Sequence, residues 1–194
     1  MSEIFVPSFI VARRAFLSRG GKMALSATAI ALLAGNEALA TAQTADASAT
    51  GDVDILNTAL GAEQEAIAAY QVGAESGLLK KPALDLAITF QGHHKAHADL
   101  LAATVRKLGG VPGEAKKPAD YKFPTNKLKT DTDVLRFAAG LEKGAVSAYL
   151  GAIPLFENRD LAKAAGSILG DEAMHWAILR QALGDVPVPD AFVS

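Results

Sequence analysis

The sequence predicts an all-α protein, a four-helix bundle made of two antiparallel helical hairpins joined by a long crossover. Three observations carry this expectation. Alanine, leucine and charged residues dominate while aromatics make up only 6% of the 194 residues, a balance that favours helix over sheet. Four segments place apolar residues alternately three and four apart, the spacing of a buried helical stripe. The connections between those segments run short, long, short.

The elements follow in order. Residues 41–51 are small and polar and read as a linker. One helical domain, 52–194, comes after it. The first helix is expected from about Asp52 to Leu79 and the second from about Pro82 to Leu108. The third is expected from about Asp131 to Pro154 and the fourth from about Arg159 to Leu183. Asp52 and Asp131 suit N-caps, and Pro82 suits a first helical turn. Gly109-Gly110 and Gly184 suit C-terminal stops, and the tail Val186-Pro187-Val188-Pro189 should be extended. A connection of a few residues makes each helix pair an antiparallel hairpin. Gly110 to Thr130, rich in Pro, Lys and Gly, is unusually long for a compact domain. It becomes natural if it climbs the bundle and starts the third helix beside the start of the second.

The halves also repeat. A shift of 79 lays Leu56, Ala59, Glu63, Ala66 and Tyr70 on Leu135, Ala138, Glu142, Ala145 and Tyr149. A shift of 78 lays His94, His97 and Leu101 on Glu172, His175 and Leu179. Two hairpins from one ancestral unit would give a pseudo-twofold bundle.

The first 40 residues read as a signal peptide. Arg13-Arg14-Ala15-Phe16-Leu17 has the twin-arginine pattern. Lys22 precedes an uncharged run of thirteen residues, Met23 to Gly35, which falls short of the ~20 that span a bilayer. Ala38-Leu39-Ala40 suits cleavage before Thr41. The expectation is export to the periplasm, with no stable membrane span once the signal is removed. The chain has no cysteine, so stability must come from sources other than disulfides. A net charge of −2 shows no electrostatic footprint for nucleic acid.

The buried stripes carry the chemistry. They read Leu56, Leu60, Glu63, Ile67, Tyr70 in the first helix and Ala87, Phe90, His94, His97, Leu101, Leu108 in the second. In the third they read Leu135, Ala139, Glu142, Val146, Tyr149, and in the fourth Ile168, Glu172, His175, Leu179, Ala182. Each stripe is apolar except near its middle, where all four turn ionisable. Glu65, Glu75, Gln91 and His93 fall off the stripes and should face solvent or a groove. Burying a bare carboxylate costs several kcal/mol even after relaxation, and three in one layer repel one another. The stripes hold no Lys or Arg at that level, which points to a metal. Glu172-x-x-His175 and His94-x-x-His97 each place two ligands about one turn apart on one helical face. Tyr70 and Tyr149 lie two turns along the same stripes. They read either as core aromatics with a hydrogen-bonded hydroxyl or as redox partners of the centre.

With these stretches in view, the segment from about Asp54 to Val193 resembles the secreted bacterial ferritin-like domain proteins, related to the desiccation-associated proteins. The resemblance rests on Ala62-Glu63 through Ala69-Tyr70, Phe90 with His94 and His97, Leu141-Glu142 through Tyr149, Glu172 with His175, and the closing Val188-Pro189-Asp190-Ala191-Phe192-Val193. It implies a ferritin-like bundle with a metal-binding core. Carboxylate di-iron proteins use Glu, Glu-x-x-His, Glu, Glu-x-x-His, and here His94 stands at the second Glu position. Glu172 is then the one bridging carboxylate carried over, with Glu63 and Glu142 as terminal ligands and His94, His97 and His175 as nitrogen ligands.

The functional expectation is a periplasmic metal-binding protein with a dinuclear iron or manganese centre at Glu63, His94, His97, Glu142, Glu172 and His175. Its chemistry would be oxidative, ferroxidase or peroxide-handling, with dioxygen or peroxide as co-substrate. The alternative is a non-catalytic stress or scaffold bundle with a structural zinc or a vestigial site, since three histidines and three carboxylates also suit zinc. A homo-oligomer is compatible with either.

Overall fold

The computed structural model describes residues 46–193. The expected signal peptide and the beginning of the expected linker lie outside the described residues. Among the described residues there are four long helices: α1 (Asp46–Glu75), α2 (Lys81–Lys107), α3 (Asp131–Ala152) and α4 (Arg159–Ala182). Short 3-10 turns lie at Pro118–Asp120, Thr125–Lys127 and Ile153–Leu155. Among the described residues, no helix is long and apolar enough to cross a membrane.

The topology is the expected one. α1 packs along α2 and α3 along α4, and the two hairpins meet through α1 against α3 and α2 against α4. Glu63 of α1 meets Tyr149 of α3 while Tyr70 meets Glu142, so α1 and α3 run antiparallel. The backbone N–H of Lys80, just before α2, donates to the Asp131 carboxylate at 3.3 Å. α3 therefore starts beside the start of α2, as a crossover that climbs the bundle requires. The crossover is fastened along the way. Asn57 donates to the Val111 carbonyl at 3.0 Å and accepts from the Gly113 N–H at 2.9 Å, and Gln64 donates to the Gly113 carbonyl at 2.9 Å. Farther on, Tyr121 stacks on Phe123, whose ring meets the edge of Phe137 on α3.

The ends of the helices differ from expectation in instructive ways. α1 is already helical at Asp46, upstream of the expected cap at Asp52. Buried Asp52 instead accepts from the backbone N–H groups of Glu157 and Asn158, both at 3.1 Å, and ties α1 to the start of α4. α1 also stops at Glu75 rather than Leu79, because Gly77 takes a left-handed conformation (φ +69°). At α3 the cap is Thr130, not Asp131. The Thr130 hydroxyl accepts from the Asp133 N–H at 3.1 Å, and the Asp133 carboxylate accepts from the Thr130 N–H at 2.9 Å, a reciprocal capping box. Gly109 and Gly184 do end α2 and α4.

The stripes form two apolar clusters. One gathers Leu56, Leu60, Leu101, Val105, Leu161 and Ile168, and the other Tyr70, Phe90, Leu135, Ala138, Ala139 and Leu179. The ionisable layer lies between them. Ala182, expected on the stripe, is exposed in the last turn of α4, and Ile67 and Leu108 are only half-buried. Gln91, expected to face solvent or a groove, is buried. Its amide donates to the Ile67 carbonyl at 3.0 Å and the Gln71 side chain at 2.8 Å, so it lies between the helices of the first hairpin.

The two glycines after α2 do different work. Gly109 supplies φ +81°, whereas a Cβ at Gly110 would lie 2.7 Å from Val53 Cγ1 and 3.1 Å from Val105 Cγ1. Gly110→Ala should destabilise the fold by about 1–3 kcal/mol through overpacking. Gly113→Ala, whose Cβ would meet Asn57 Oδ1 at an ordinary 3.8 Å, should stay within about 0.5 kcal/mol of the wild type. Urea-denaturation midpoints measure the difference, and equal midpoints for the two variants would contradict this packing of the crossover.

Candidate metal centre

Each helix delivers part of one layer in the middle of the bundle. Helical periodicity turns Glu63 of α1, His94 and His97 of α2, Glu142 of α3, and Glu172 and His175 of α4 inward together. Five of the six are almost fully buried, and the His97 side chain is 14% exposed. All six sequence-predicted residues thus converge.

The layer has two halves arranged around Glu172. Glu172 Oε1 lies 3.2 Å from His97 Nδ1, and Glu172 Oε2 lies 3.9 Å from His175 Nδ1. His97 Nδ1 is also 3.5 Å from Glu63 Oε1, and His175 Nδ1 is 3.6 Å from Glu142 Oε2. His94 spans the halves, with Nδ1 2.7 Å from Glu63 Oε2 and Nε2 3.3 Å from Glu142 Oε1. Two donor groups result, Glu63–His94–His97–Glu172 and His94–Glu142–Glu172–His175, and within each the ligand atoms lie within 4.8 Å of one another.

The tyrosines complete the layer across the pseudo-twofold. Tyr149 donates its hydroxyl to Glu63 Oε1 at 2.7 Å, and Tyr70 donates to Glu142 Oε1. Each half's tyrosine thus holds the other half's glutamate. Burial first, and then the neighbouring carboxylate charges, push both phenols well above 10, so they remain neutral donors. Phe90 stacks on His175 with ring centroids 4.0 Å apart and fixes the plane of that imidazole.

Burial alone would push every carboxylate in the layer up. For Glu63, the hydrogen bond and charge of His94, and then the nearby His97 ring, reverse this and hold it at about 2. For Glu142, burial is outweighed by the His94 charge, the nearby His175 ring and the His94 contact, which carry it well below 4.5. His94 itself is disfavoured as a cation by burial, but Glu142 and Glu63 raise it to about 10. Glu172 has no such help. Burial and the charges of Glu142 and Glu63 push it well above 4.5, so it keeps its proton. Without a metal, an imidazolium at His94 meets part of the demand for positive charge that the absence of Lys and Arg from the stripes creates. From the sequence, that demand points to a metal alone.

What His94 does not satisfy is specific. Buried polar atoms without a hydrogen-bond partner include His97 Nδ1, His175 Nδ1, Glu142 Oε2 and both oxygens of Glu172. They face one another across the gap between α2, α3 and α4. Carboxylate oxygens and imidazole nitrogens aimed at shared points are the donor set that divalent iron, manganese and zinc accept, so the residues present fit a metal pair.

Sequence reasoning missed two neighbours of the layer. Asp171 Oδ2 lies 3.3 Å from His175 Nε2 and 3.4 Å from His97 Nε2. His93, expected to face solvent or a groove, is partly exposed, yet its Nδ1 lies 3.1 Å from Asp171 Oδ2 and 2.9 Å from His175 Nε2. The signal was present, because the shift of 78 that pairs His94 with Glu172 also pairs His93 with Asp171.

No curated protein matches the chain. The sequence profile of the ferritin-like domain matches residues 51–185, which take in most of α1, the other three helices and every residue of the layer. With most of the chain matched and the one-crossover bundle in hand, the chain belongs to the ferritin-like domain family.

Proposed function

We propose that the layer holds a dinuclear iron or manganese centre in an exported protein of stress protection, with ferroxidase or peroxide-handling chemistry. The observation that carries this reading is Glu172, whose two unpaired oxygens each face a different buried histidine nitrogen. A carboxylate placed in this way would serve both ions of such a pair. Glu63 and Glu142 would be terminal ligands, and His94, His97 and His175 would supply nitrogen. A pair of such ions, when bound, supplies electrons to dioxygen or peroxide. The chain holds the carboxylates in place through Tyr70 and Tyr149 and keeps bulk water out with the two apolar clusters. Binding to His94 and Glu172 displaces the proton each carries, so uptake strengthens as pH rises. The histidine in place of a fourth carboxylate equally suits zinc, and a centre that binds zinc without oxidising iron or consuming peroxide would select the scaffold reading.

Glu172→Gln tests the bridge. Glutamine mimics the protonated carboxyl but cannot bridge, so metal content should fall at least about tenfold. Stability of the metal-free protein separates ligand loss from misfolding. Glu172 is raised in the fold, so its unfolded form ionises first and its contribution declines as pH rises above 4.5. His94 is raised to about 10, so its contribution is complete below 6.5 and is lost as pH rises through 10. Glu63 is lowered to about 2, so its contribution is present above 4.5 and is lost as pH falls through 2. Metal-free wild type should therefore melt highest at about pH 5, and Glu172→Gln should flatten the fall on the alkaline side. Metal content at the wild-type level in the variant would remove the bridge.

Export rests on the N-terminal pattern, and Arg13-Arg14→Lys-Lys should leave the precursor in the cytoplasm. Cell fractionation that finds the periplasmic yield unchanged would replace the twin-arginine route with the general secretory one.

A further inference from the structure

His175 faces two ways. Nδ1 looks into the buried layer, and Nε2 looks out toward Asp171 Oδ2 at 3.3 Å and His93 Nδ1 at 2.9 Å. His97 has the same division, with Nδ1 toward Glu172 and Nε2 3.4 Å from Asp171 Oδ2. With the 3.1 Å between His93 Nδ1 and Asp171 Oδ2, the three outer atoms form a closed triangle. Ligands bound at about 2.0–2.2 Å to one tetrahedral or octahedral ion lie roughly 3.0–3.5 Å apart, so this triangle suits one face of a coordination shell. The His93 side chain is 46% exposed and Asp171 23%, which leaves the opposite face to water. The inner layer has no comparable exposure.

The geometry points to a second, outer metal site made of His93 Nδ1, Asp171 Oδ2 and His175 Nε2, which takes a hydrated divalent cation from solvent and passes it inward. Its destination rests on the dinuclear reading above. A neutral imidazole offers one lone pair, so His175 ligates either the outer or the inner ion. With the ion outside, the ring proton sits on Nδ1 and faces Glu142 and Glu172. With the ion inside, the proton sits on Nε2 and is donated to Asp171, which then orients the ring as a ligand. Phe90 holds the ring plane throughout, so the transfer needs no ring flip. An orienting hydrogen bond alone would account for Asp171 but leaves His93 without a part. His93 meets Asp171, His175 and the Phe90 ring, and none of its polar contacts is to a carboxylate of the inner layer.

Stopped-flow visible absorption with Co²⁺ as the probe separates the two sites. Wild type should show a fast phase followed by a slower one. His93→Ala, at a partly exposed position that the fold tolerates, should lose the fast phase and load at least about tenfold more slowly, while reaching the same final Co²⁺ content. Glu142→Gln should keep the fast phase and lose the slow one. Wild-type phases in His93→Ala would overturn the outer site. A fast phase in wild type that depends on His93, with no slow phase after it, would uphold the outer site and defeat both the buried centre and the transfer.

Discussion

Charge buried in the middle of the bundle is the constraint on which the rest depends. Each carboxylate taken out of water costs several kcal/mol unless partners meet it, and here the partners come from other helices. Glu63 on α1 depends on Tyr149 of α3 and His94 of α2, and Glu142 on α3 depends on Tyr70 of α1 and the same histidine. A one-residue rotation of any helix would leave a buried carboxylate or imidazole unmatched. The layer therefore fixes the phase of all four helices, which the small, interchangeable alanine contacts around it could not do as sharply. The cross-paired tyrosines and glutamates make the two hairpins mutually dependent.

The same layer divides structure from chemistry. Glu63 and Glu142 are held on one or both oxygens by protein donors and stay charged. Glu172 is held by none and is pushed toward its protonated form, so it is the group with the most to gain from a cation. His94, raised to about 10, supplies a cation inside the layer. A layer of four carboxylates would have no such internal cation. Asp171 and His93 extend the polar path from the layer to solvent along α2 and α4.

Much of this was legible in the sequence, and the boundary is physical. Helical periodicity alone puts Glu63, His94, Glu142, Glu172 and His175 on inward faces, and loop lengths alone set α3 beginning beside α2. The repeat announced that Tyr70 and Tyr149 were equivalent, but it could not say that each would reach the other half's glutamate, because that depends on α1 and α3 running antiparallel. Asp52 looked like the cap of its own helix, yet it lies within α1 and holds the backbone just before α4, whose cap is Asn158. Gln91 left the stripe but found cover between two helices of one hairpin, where an amide can satisfy a carbonyl and a neighbouring side chain. Thr130 and Asp133 form a capping box with Asp in place of the more usual Glu or Gln, which made Asp131 the more conspicuous candidate.

The most direct test of the buried centre is elemental analysis of protein purified from its native compartment, paired with melting temperature before and after chelation. A dinuclear centre in this layer should give stoichiometric iron or manganese, removed by chelator with a clear drop in melting temperature as the unpaired atoms around Glu172 lose their common partner. Protein that carries no bound metal from that compartment and melts identically with and without chelator would contradict it.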